Sequence, residues 1–173
     1  MAERRHEGDA VKGAVEAAFA GLDRVVLAVS GGVDSMVLFH AAASVPHRVR
    51  PSFLVASFDH GTGTAATRAV ESVRCQAEAL RLPFTAGRAA KPAATEHEWR
   101  LARWNFLRQA ATEFGGSIAT AHTLDDQIET IFIRILRDAG PRGLAALFAE
   151  SEVIRPFLRL RRAAIVHYAT ARG

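Results

Sequence analysis

The residues best placed to do chemistry form a short run, Ser30–Ser35, which reads Ser-Gly-Gly-Val-Asp-Ser. The apolar segment 25–29 precedes it and has the β-branched composition of a buried strand. A helical pattern begins at Val33. Two glycines allow a tight turn and a close approach of the backbone to a ligand, and a helix start offers free N–H groups to an anion. The run therefore predicts a phosphate-binding loop.

The charged residue of this loop is an acid, Asp34, whereas a Walker A loop carries a lysine before its Ser/Thr. An aspartate beside phosphates is favourable when a Mg²⁺ ion lies between them, so Asp34 is the predicted metal ligand. An ordinary strand–helix connection is the structural alternative, but it leaves two serines, two glycines and an acid in one turn unexplained. The spelling Ser-Gly-Gly-x-Asp-Ser resembles the pyrophosphate loop of the N-type ATP pyrophosphatases, and this resemblance implies ATP as the nucleotide.

A second cluster of polar residues begins at His122, where the sequence reads His-Thr-Leu-Asp-Asp-Gln-Ile-Glu. Thr123 and Asp126 have the spacing of a capping box, which is a structural role for that acid. Capping accounts for one acid, but not for three acids and a histidine together. We therefore expect the cluster to handle ligand or substrate. Its members are His122, Asp125, Asp126 and Glu129. The expected core-facing stripe of the same helix consists of Leu124, Ile128, Ile131 and Ile135.

Strand-like and helix-like segments alternate along the chain. This pattern predicts an α/β fold with a doubly wound, mostly parallel five-stranded sheet and helices on both faces. Because ligands of such sheets bind beyond the carboxyl ends of the strands, the polar residues at predicted strand ends should meet at one edge. These are Ser30, Asp59, His122 and Arg155. The predicted strands are 25–29, 52–58, 84–88, 117–121 and 152–155. The predicted helices are 10–20, 33–44, 65–81, 95–114, 124–137, 143–149 and 160–172, with a linker at 89–94.

Length and composition bound the class of protein. At 173 residues, with 49% hydrophobic and 23% charged residues, the chain suits one globular domain over residues 1–173 and not a disordered protein. The net charge of +4 permits an acidic partner without requiring one. The single cysteine, Cys75, excludes an intramolecular disulfide and favours a cytoplasmic location, and its helical context predicts a small buried thiol. We find neither a signal peptide nor an apolar run of membrane length, so no membrane partner is expected.

Several motifs outside the loop point to one family. The stretch Ala121–Thr130 resembles the Ala-His-x-x-Asp-Asp-Gln-x-Glu-Thr signature of the bacterial tRNA(Ile)-lysidine synthetases. The segments Asp59–Gly61, Gly140–Leu144 and Ile154–Leu158 are similar to further landmarks of that family. Matched landmarks run from about residue 25 to about residue 160, nearly the whole chain, which makes the resemblance far more specific than the loop alone.

Other positions fit the family pattern or depart from it. The predicted helix 95–114 carries Glu96, Arg100 and Arg103 where the family has a glutamate and two arginines. The departures are Trp99 and Trp104 for alanine and tyrosine, Thr62 and Gly63 for leucine and arginine, and Arg137-Asp138 for Arg-Gly. Relatives continue into an Asp-rich segment and usually into further domains that hold the tRNA. We therefore expect those C-terminal tRNA-binding domains to be absent from residues 1–173.

The resemblance implies that ATP adenylylates the oxygen at carbon 2 of the wobble cytidine of tRNA(Ile), after which free L-lysine attacks that carbon, AMP leaves and lysidine results. It also implies an adenine nucleotide alpha hydrolase-like fold and the cofactors ATP and Mg²⁺; a homodimer would supply additional tRNA surface. The implied nucleotide-binding residues are Ala28, Ser30, Gly31, Gly32, Val33, Asp34, Ser35, Phe58, Asp59 and His60. The implied catalytic residues are Asp34, His122, Asp125, Asp126 and Glu129. The tRNA or phosphate candidates are Arg100, Arg103, Arg155, Arg159, Arg161 and Arg162.

The roles of single residues stay open at this point. A lysine ammonium must lose a proton before it attacks, and one or more of the three acids would bind it. Asp125 and Glu129, one helical turn apart, are the preferred pair because Asp126 has the capping alternative. His122 contacts phosphate, transfers a proton or is a hydrogen-bonded packing residue. For any one arginine, a solvated charged face is the structural alternative.

Three other functions fit parts of the sequence. A tRNA thiolase of the same superfamily keeps the fold, but such enzymes commonly use several cysteines and Cys75 stands alone. A nucleotide-binding fragment without turnover is consistent with the expected lack of tRNA-holding domains. Amide-forming relatives that use ammonia fit least, because nothing in the chain resembles an amidotransferase domain. The sequence therefore favours lysidine synthesis over these three.

Overall fold

The computed structural model describes residues 2–89, 95–137 and 152–172. Five strands of this part form one sheet in the order β3-β2-β1-β4-β5, and every neighbouring pair is parallel. The strands are β1 (Arg24–Ala28), β2 (Ser52–Asp59), β3 (Phe84–Arg88), β4 (Ser117–Ala119) and β5 (Val153–Ile154). The helices are α1 (Ala2–Phe19), α2 (Val33–Ser44), α3 (Thr64–Ala79), α4 (Glu96–Phe114), α5 (Leu124–Leu136) and α6 (Arg162–Thr170). The predicted doubly wound parallel α/β fold is confirmed.

The central strand β1 is buried on both faces, as its uninterrupted apolar sequence requires. Val25 and Leu27 belong to the core shared with α1, α2 and α6, whereas Val26 packs with Leu107 and Ala110 of α4 on the other face. Full burial of a valine or leucine side chain contributes about 1.5–3 kcal/mol to folding. Parallel pairing with β2 and β4 brings the carboxyl ends of three strands to one edge of the sheet.

Most predicted elements are found within a few residues of their expected bounds. Strands β4 and β5 are shorter than predicted, with three and two residues, and α1 begins at Ala2 instead of residue 10. The predicted helix at 143–149 and most of the linker at 89–94 lie outside the described residues. The same holds for the family landmark Gly140–Leu144.

The predicted core-facing stripe of α5 is wrong at its C-terminal end. No residue of this helix is fully buried, and Ile135 is 52% exposed. Within the described residues, α5 is attached to the rest of the fold at its first turn, where the Leu124 N–H donates to the Leu160 carbonyl at 2.9 Å. An apolar periodicity specifies one face of a helix, but it does not specify what covers that face.

Cys75, which was expected to be a small buried thiol, is instead exposed on α3. The reason is the rotation of the helix, which turns Val73 and Ala77 towards the core. In the part of the chain that the structure describes, no helix is both long and apolar enough to cross a bilayer.

A close backbone contact fixes β4 beside β1. After α4, Gly115 adopts the left-handed conformation with φ +69°. A Cβ on the next residue, Gly116, would lie 2.7 Å from the Arg24 carbonyl oxygen. The Arg24 side chain also closes the end of α4, where its Nη1 donates to the Phe114 carbonyl at 2.9 Å. Because β4 begins one residue later, this contact sets the position of the strand that leads to His122.

Replacing Gly116 with alanine should lower the free energy of unfolding by about 1–3 kcal/mol, because the new methyl group meets backbone that moves only if β1 shifts. Urea denaturation followed by circular dichroism measures the effect. Gly13→Ala in α1 is the matched control. Nothing lies within 4 Å of its added Cβ, and a helix-interior alanine should stabilise by up to about 1 kcal/mol. Equal unfolding midpoints for the two variants would contradict this account.

Candidate nucleotide-binding site

The loop between β1 and α2 is shaped to receive an anion. Gly31 has φ +87°, and a Cβ on it would lie 3.1 Å from the Ala69 Cβ, so the loop passes closely over α3. Gly32 is the N-cap of α2 and provides no side-chain acceptor. The first N–H groups of the helix are therefore available to a ligand, together with the positive end of the helix dipole.

The two serines of the loop have different roles. Ser35 is buried; its hydroxyl donates to the Gly32 carbonyl at 2.8 Å and accepts from the Ser30 N–H at 3.2 Å. Ser30 is exposed, with its hydroxyl 3.1 Å from that of Ser35 and in reach of the Gly32 N–H. Ser35 thus holds the shape of the turn, while Ser30 presents a hydroxyl to the space above it.

A cleft of about 390 Å³ lies above the loop, at the carboxyl ends of β1, β2 and β4. This volume falls within the range of small-molecule sites. The predicted residues that line the cleft are Ala28, Ser30, Gly32, Val33, Asp34, Ser35, Phe58, His60, Arg103, His122, Asp126 and Arg162. The sequence prediction missed the small residues Ala66 and Ala69 of α3 and the polar Thr120. The spacing of Ala66 and Ala69 was the signal that the sequence offered, because two small residues three positions apart leave one helix face open to the close approach of a loop.

Asp34 lies in the first turn of α2 with one oxygen paired and the other free. Its Oδ2 is 3.3 Å from Nη2 of Arg162, whereas its buried Oδ1 has no hydrogen-bond partner among the described residues. Burial raises the pKa of Asp34; Arg162 opposes this change and the charge of Asp126 adds to it. A buried carboxylate oxygen without a donor suits a hard cation such as Mg²⁺. The described residues contain no cluster of three or more metal-binding side chains, so such an ion would also need phosphate or water ligands.

The start of α5 is held by a capping box, as its spacing predicts. The Thr123 N–H and hydroxyl both donate to Oδ2 of Asp126, at 2.7 and 2.8 Å, and the Asp126 N–H donates to the Thr123 hydroxyl. Asp126 nevertheless lines the cleft. His122 lies beside it, with Nδ1 2.8 Å from the Thr120 hydroxyl. Burial and the nearby Arg155 lower the pKa of His122, so its imidazole is neutral near pH 7.

Asp125 faces a different way from Asp126. Its Oδ2 accepts from the backbone N–H of Arg162 at 2.7 Å, and its Oδ1 accepts from Arg161 at 3.2 Å. The first of these hydrogen bonds is the main reason that the pKa of Asp125 is lowered. Asp125 thereby fastens the start of α6 to α5 and does not line the cleft. Glu129, one turn further along α5, is exposed and lies outside the cleft lining as well.

The residues after β2 also separate into two roles. Asp59 is buried and accepts from the Gly61 N–H and the Thr67 hydroxyl, both at 2.8 Å, so it shapes the turn into α3 and does not line the cleft. His60 does line the cleft, and its ring meets that of Phe58 edge-on at 5.1 Å. Burial and the charge of Arg103 lower the pKa of His60.

The predicted basic residues lie in different places. Arg103 lines the cleft, and its buried Nε has no hydrogen-bond partner among the described residues. Burial and the neighbouring Arg100 lower the pKa of Arg103. Arg100 and Arg155 line a more open groove of about 1000 Å³ beside α4, which reaches the amino ends of β1 and β4 and holds none of the phosphate loop. Arg159 is exposed and lines neither space.

The fold and the loop define an α/β domain with a cleft above a glycine-rich loop, at the carboxyl edge of its sheet. Residues 8–173 match the family model described as the PP-loop domain, and the chain belongs to this family.

Relatives in this family carry a particular name. The tRNA(Ile)-lysidine synthase of Methylobacterium sp. (strain 4-46) is 41% identical over 158 residues, which cover 86% of this chain and 45% of that protein. The tRNA(Ile)-lysidine synthase of Thermotoga sp. (strain RQ2) is 32% identical over 160 residues, which cover 87% of this chain and 39% of that protein. The chain thus spans less than half the length of these relatives.

Two solved structures share the fold. The U34-tRNA thiolase NcsA from Methanococcus maripaludis, solved with its [4Fe-4S] cluster, superposes with a TM-score of 0.78 at 14% identity and covers 96% of this chain and 62% of its own. Glutamine-dependent NAD+ synthetase from Acinetobacter baumannii, in complex with ADP, gives a TM-score of 0.58 at 15% identity over 98% of this chain and 32% of its own. At such identities the likeness supports the fold alone.

The hydrogen bonds of Asp59 predict a pH-dependent stability. The Gly61 N–H and the Thr67 hydroxyl lower its folded pKa below the unfolded value of 3.8, so the stabilisation is complete above that value and is lost as the pH falls below it. Asp59→Asn should be less stable than wild type by about 1.5–3 kcal/mol at pH 6, and the difference should shrink between pH 4 and pH 3. Guanidinium denaturation at each pH measures it. A gap that stays constant down to pH 3 would show that Asp59 is not the titrating group.

Proposed function

We propose that this domain ligates lysine to carbon 2 of the wobble cytidine of tRNA(Ile), through an adenylylated tRNA intermediate, and so forms lysidine. One observation carries the proposal: a single cleft joins the phosphate loop to the first turn of α5, where His122 and Asp126 lie. Relatives support the proposal as well, because proteins named tRNA(Ile)-lysidine synthase align with most of this chain over part of their own length. Because those relatives are much longer, the activity of residues 1–173 without further domains is part of what has to be tested.

The cleft fits an adenine nucleotide. The free N–H groups at the start of α2 and the Ser30 hydroxyl would bind the phosphates, and backbone groups of Ala28 and Phe58, at the strand ends, would contact the adenine. The free Oδ1 of Asp34 would hold Mg²⁺. Such an ion would neutralise charge on the departing pyrophosphate, and the N–H groups of the loop would stabilise the same charge.

Arg103 is suited to the reacting phosphate or to an RNA phosphate. An arginine side chain that is largely buried without an anion is costly, and the Nε of Arg103 has no described partner. Attack of the cytidine oxygen on the α-phosphorus would develop negative charge in the cleft that Arg103 lines. The guanidinium of Arg103 would stabilise that charge with the planar donor geometry that matches phosphate oxygens.

The lysine step requires an acid to bind the ammonium and a base to remove a proton. Asp126 lines the cleft whereas Asp125 is engaged by α6, so we now place the ammonium beside Asp126, with Glu129 at the outer end of the same helix face. The neutral imidazole of His122 would accept the proton, since its lowered pKa leaves it unprotonated near pH 7.

The alternatives remain distinguishable by chemistry. The thiolase hypothesis rests on the fold that the chain shares with NcsA. However, Cys75 is the one cysteine of the chain, and it lies on α3 and does not line the cleft. A nucleotide-binding domain that needs further tRNA-holding surface, from other domains or from a second copy, would bind ATP without turnover. Pyrophosphate release that requires both lysine and tRNA identifies lysidine synthesis.

Asp34→Asn should weaken binding of Mg²⁺·ATP at least about tenfold, because the variant loses the carboxylate that would hold the ion. Isothermal titration calorimetry measures the affinity. Asp23→Asn, an exposed acid at the opposite edge of the sheet, removes the same charge and should bind as wild type does. If a folded wild type shows no binding at millimolar ATP, the proposal fails for this chain.

Asp126→Asn should raise the KM for lysine about tenfold or more in a tRNA-dependent pyrophosphate-release assay, because asparagine can still accept the capping bonds but cannot bind an ammonium by charge. Asp125→Asn should change the KM for lysine much less, since its partners belong to α6. A larger KM effect for Asp125→Asn would restore the assignment that the sequence favoured. Release of pyrophosphate without any dependence on lysine would overturn the lysine assignment altogether.

A further inference from the structure

Arg162 connects three parts of the molecule. Its side chain lines the cleft, with Nη2 3.3 Å from Oδ2 of Asp34 in the phosphate loop. Its backbone N–H donates to Oδ2 of Asp125 in α5 at 2.7 Å. The residue is also the first of α6. A chain position near residue 160 is therefore tied to the phosphate loop and to the helix that carries Asp126.

The pair between Arg162 and Asp34 solves an electrostatic problem of the loop. N–H groups arranged for phosphate attract anions, but a carboxylate within a few ångströms repels them. The Asp34 side chain is 18% exposed and therefore poorly screened by water, and the guanidinium of Arg162 supplies the compensating charge. The Arg162 side chain itself is 60% exposed, so it can turn without leaving a buried cation unpaired.

The pair also leaves donors of Arg162 available. Its contact with Asp34 is through Nη2, and a guanidinium carries five N–H donors in a planar fork that matches phosphate oxygens. In addition, Oδ1 of Asp34 already lacks a partner among the described residues. The remaining N–H donors of Arg162 and Oδ1 of Asp34 are therefore available to a ligand in the same cleft.

We propose that Arg162 is a phosphate-binding residue of the cleft, whose guanidinium neutralises Asp34 before nucleotide binds and the nucleotide's phosphates afterwards. A cation held by Asp34 would leave the guanidinium free to bind the phosphates. This inference rests on the proposed nucleotide function of the cleft and adds a residue to it. The rival explanation is a purely structural ion pair that ties α6 to α2.

A double-mutant cycle separates the two explanations. Asp34→Asn, Arg162→Gln and the double variant are titrated calorimetrically with inorganic pyrophosphate and with ATP, each in EDTA and in Mg²⁺. Without a divalent ion, Asp34→Asn should bind pyrophosphate at least as well as wild type does, because a repelling charge is removed. A phosphate-binding Arg162 predicts that Arg162→Gln weakens pyrophosphate binding about tenfold, in the wild-type and in the Asp34→Asn background alike.

One result of the cycle would overturn the phosphate-binding role of Arg162. If Arg162→Gln changes nothing in the Asp34→Asn background, its only partner is Asp34 and the proposal is overturned. Arg172→Gln is the charge-matched control, since Arg172 lies just beyond the end of α6 with its guanidinium 4.5 Å from the Tyr168 ring centroid; its affinities should equal those of wild type. Should Arg162→Gln fail to fold, Arg162→Lys keeps the charge and loses the fork, and it should bind with intermediate affinity.

The same titrations show which claim fails. Wild type that binds neither ATP nor pyrophosphate overturns the nucleotide function and the role of Arg162 together. Wild type that binds Mg²⁺·ATP in an Asp34-dependent manner, while Arg162→Gln binds both ligands as tightly, overturns the role of Arg162 alone. Tenfold weaker binding of Arg162→Gln in both backgrounds, with wild-type affinities for Arg172→Gln, supports both claims.

Discussion

A carboxylate inside a phosphate-binding loop is the constraint on which the rest of the site depends. The start of α2 offers N–H groups to an anion, yet the second residue of that helix is Asp34, with a side chain only 18% exposed. Burial raises its pKa, so the fold must supply a positive charge or accept a proton there. The positive charge comes from Arg162, far along the chain, whose backbone is in turn held by Asp125 of α5. The last described helix is thus joined to the first loop through the site itself.

The close packing of small residues is the second requirement of the loop. A Cβ on Gly31 would lie 3.1 Å from that of Ala69, and Ser35 closes the turn by a hydrogen bond to the Gly32 carbonyl. At the other end of the sheet, Gly116 lets β4 approach the Arg24 carbonyl. A side chain at either glycine would force its neighbours to move, so the phosphate loop and the start of β4 both depend on glycine. Pre-organised N–H groups of this kind need little rearrangement when charge develops.

The sequence predicted what depends on neighbours along the chain. The strands were found from apolar runs, and the capping box of Thr123 and Asp126 followed from a three-residue spacing that the structure reproduces. Long-range partners were not accessible in this way. The sequence favoured Asp125 as a lysine ligand because Asp126 has the capping alternative. The contacts of Asp125 with Arg161 and Arg162, 36 and 37 residues further on, cannot be read from periodicity. The prediction that the C-terminal half of the α5 stripe faces the core was wrong for the same reason, because an apolar face does not specify which element packs against it.

Helix geometry gives the adjacent acids Asp125 and Asp126 different roles. This difference determines which of them lies beside His122, the proposed base of the reaction. Successive residues of a helix point about 100° apart, so Asp125 reaches α6 while Asp126 turns into the cleft beside His122. The pKa of His122 is lowered by burial and by Arg155, and is raised in part by Asp126. Under the proposed function, a bound phosphate would offset the charge of the arginines around the imidazole, and His122 would become a stronger base. The phosphate bound in the cleft would then increase the capacity of His122 to take the lysine proton.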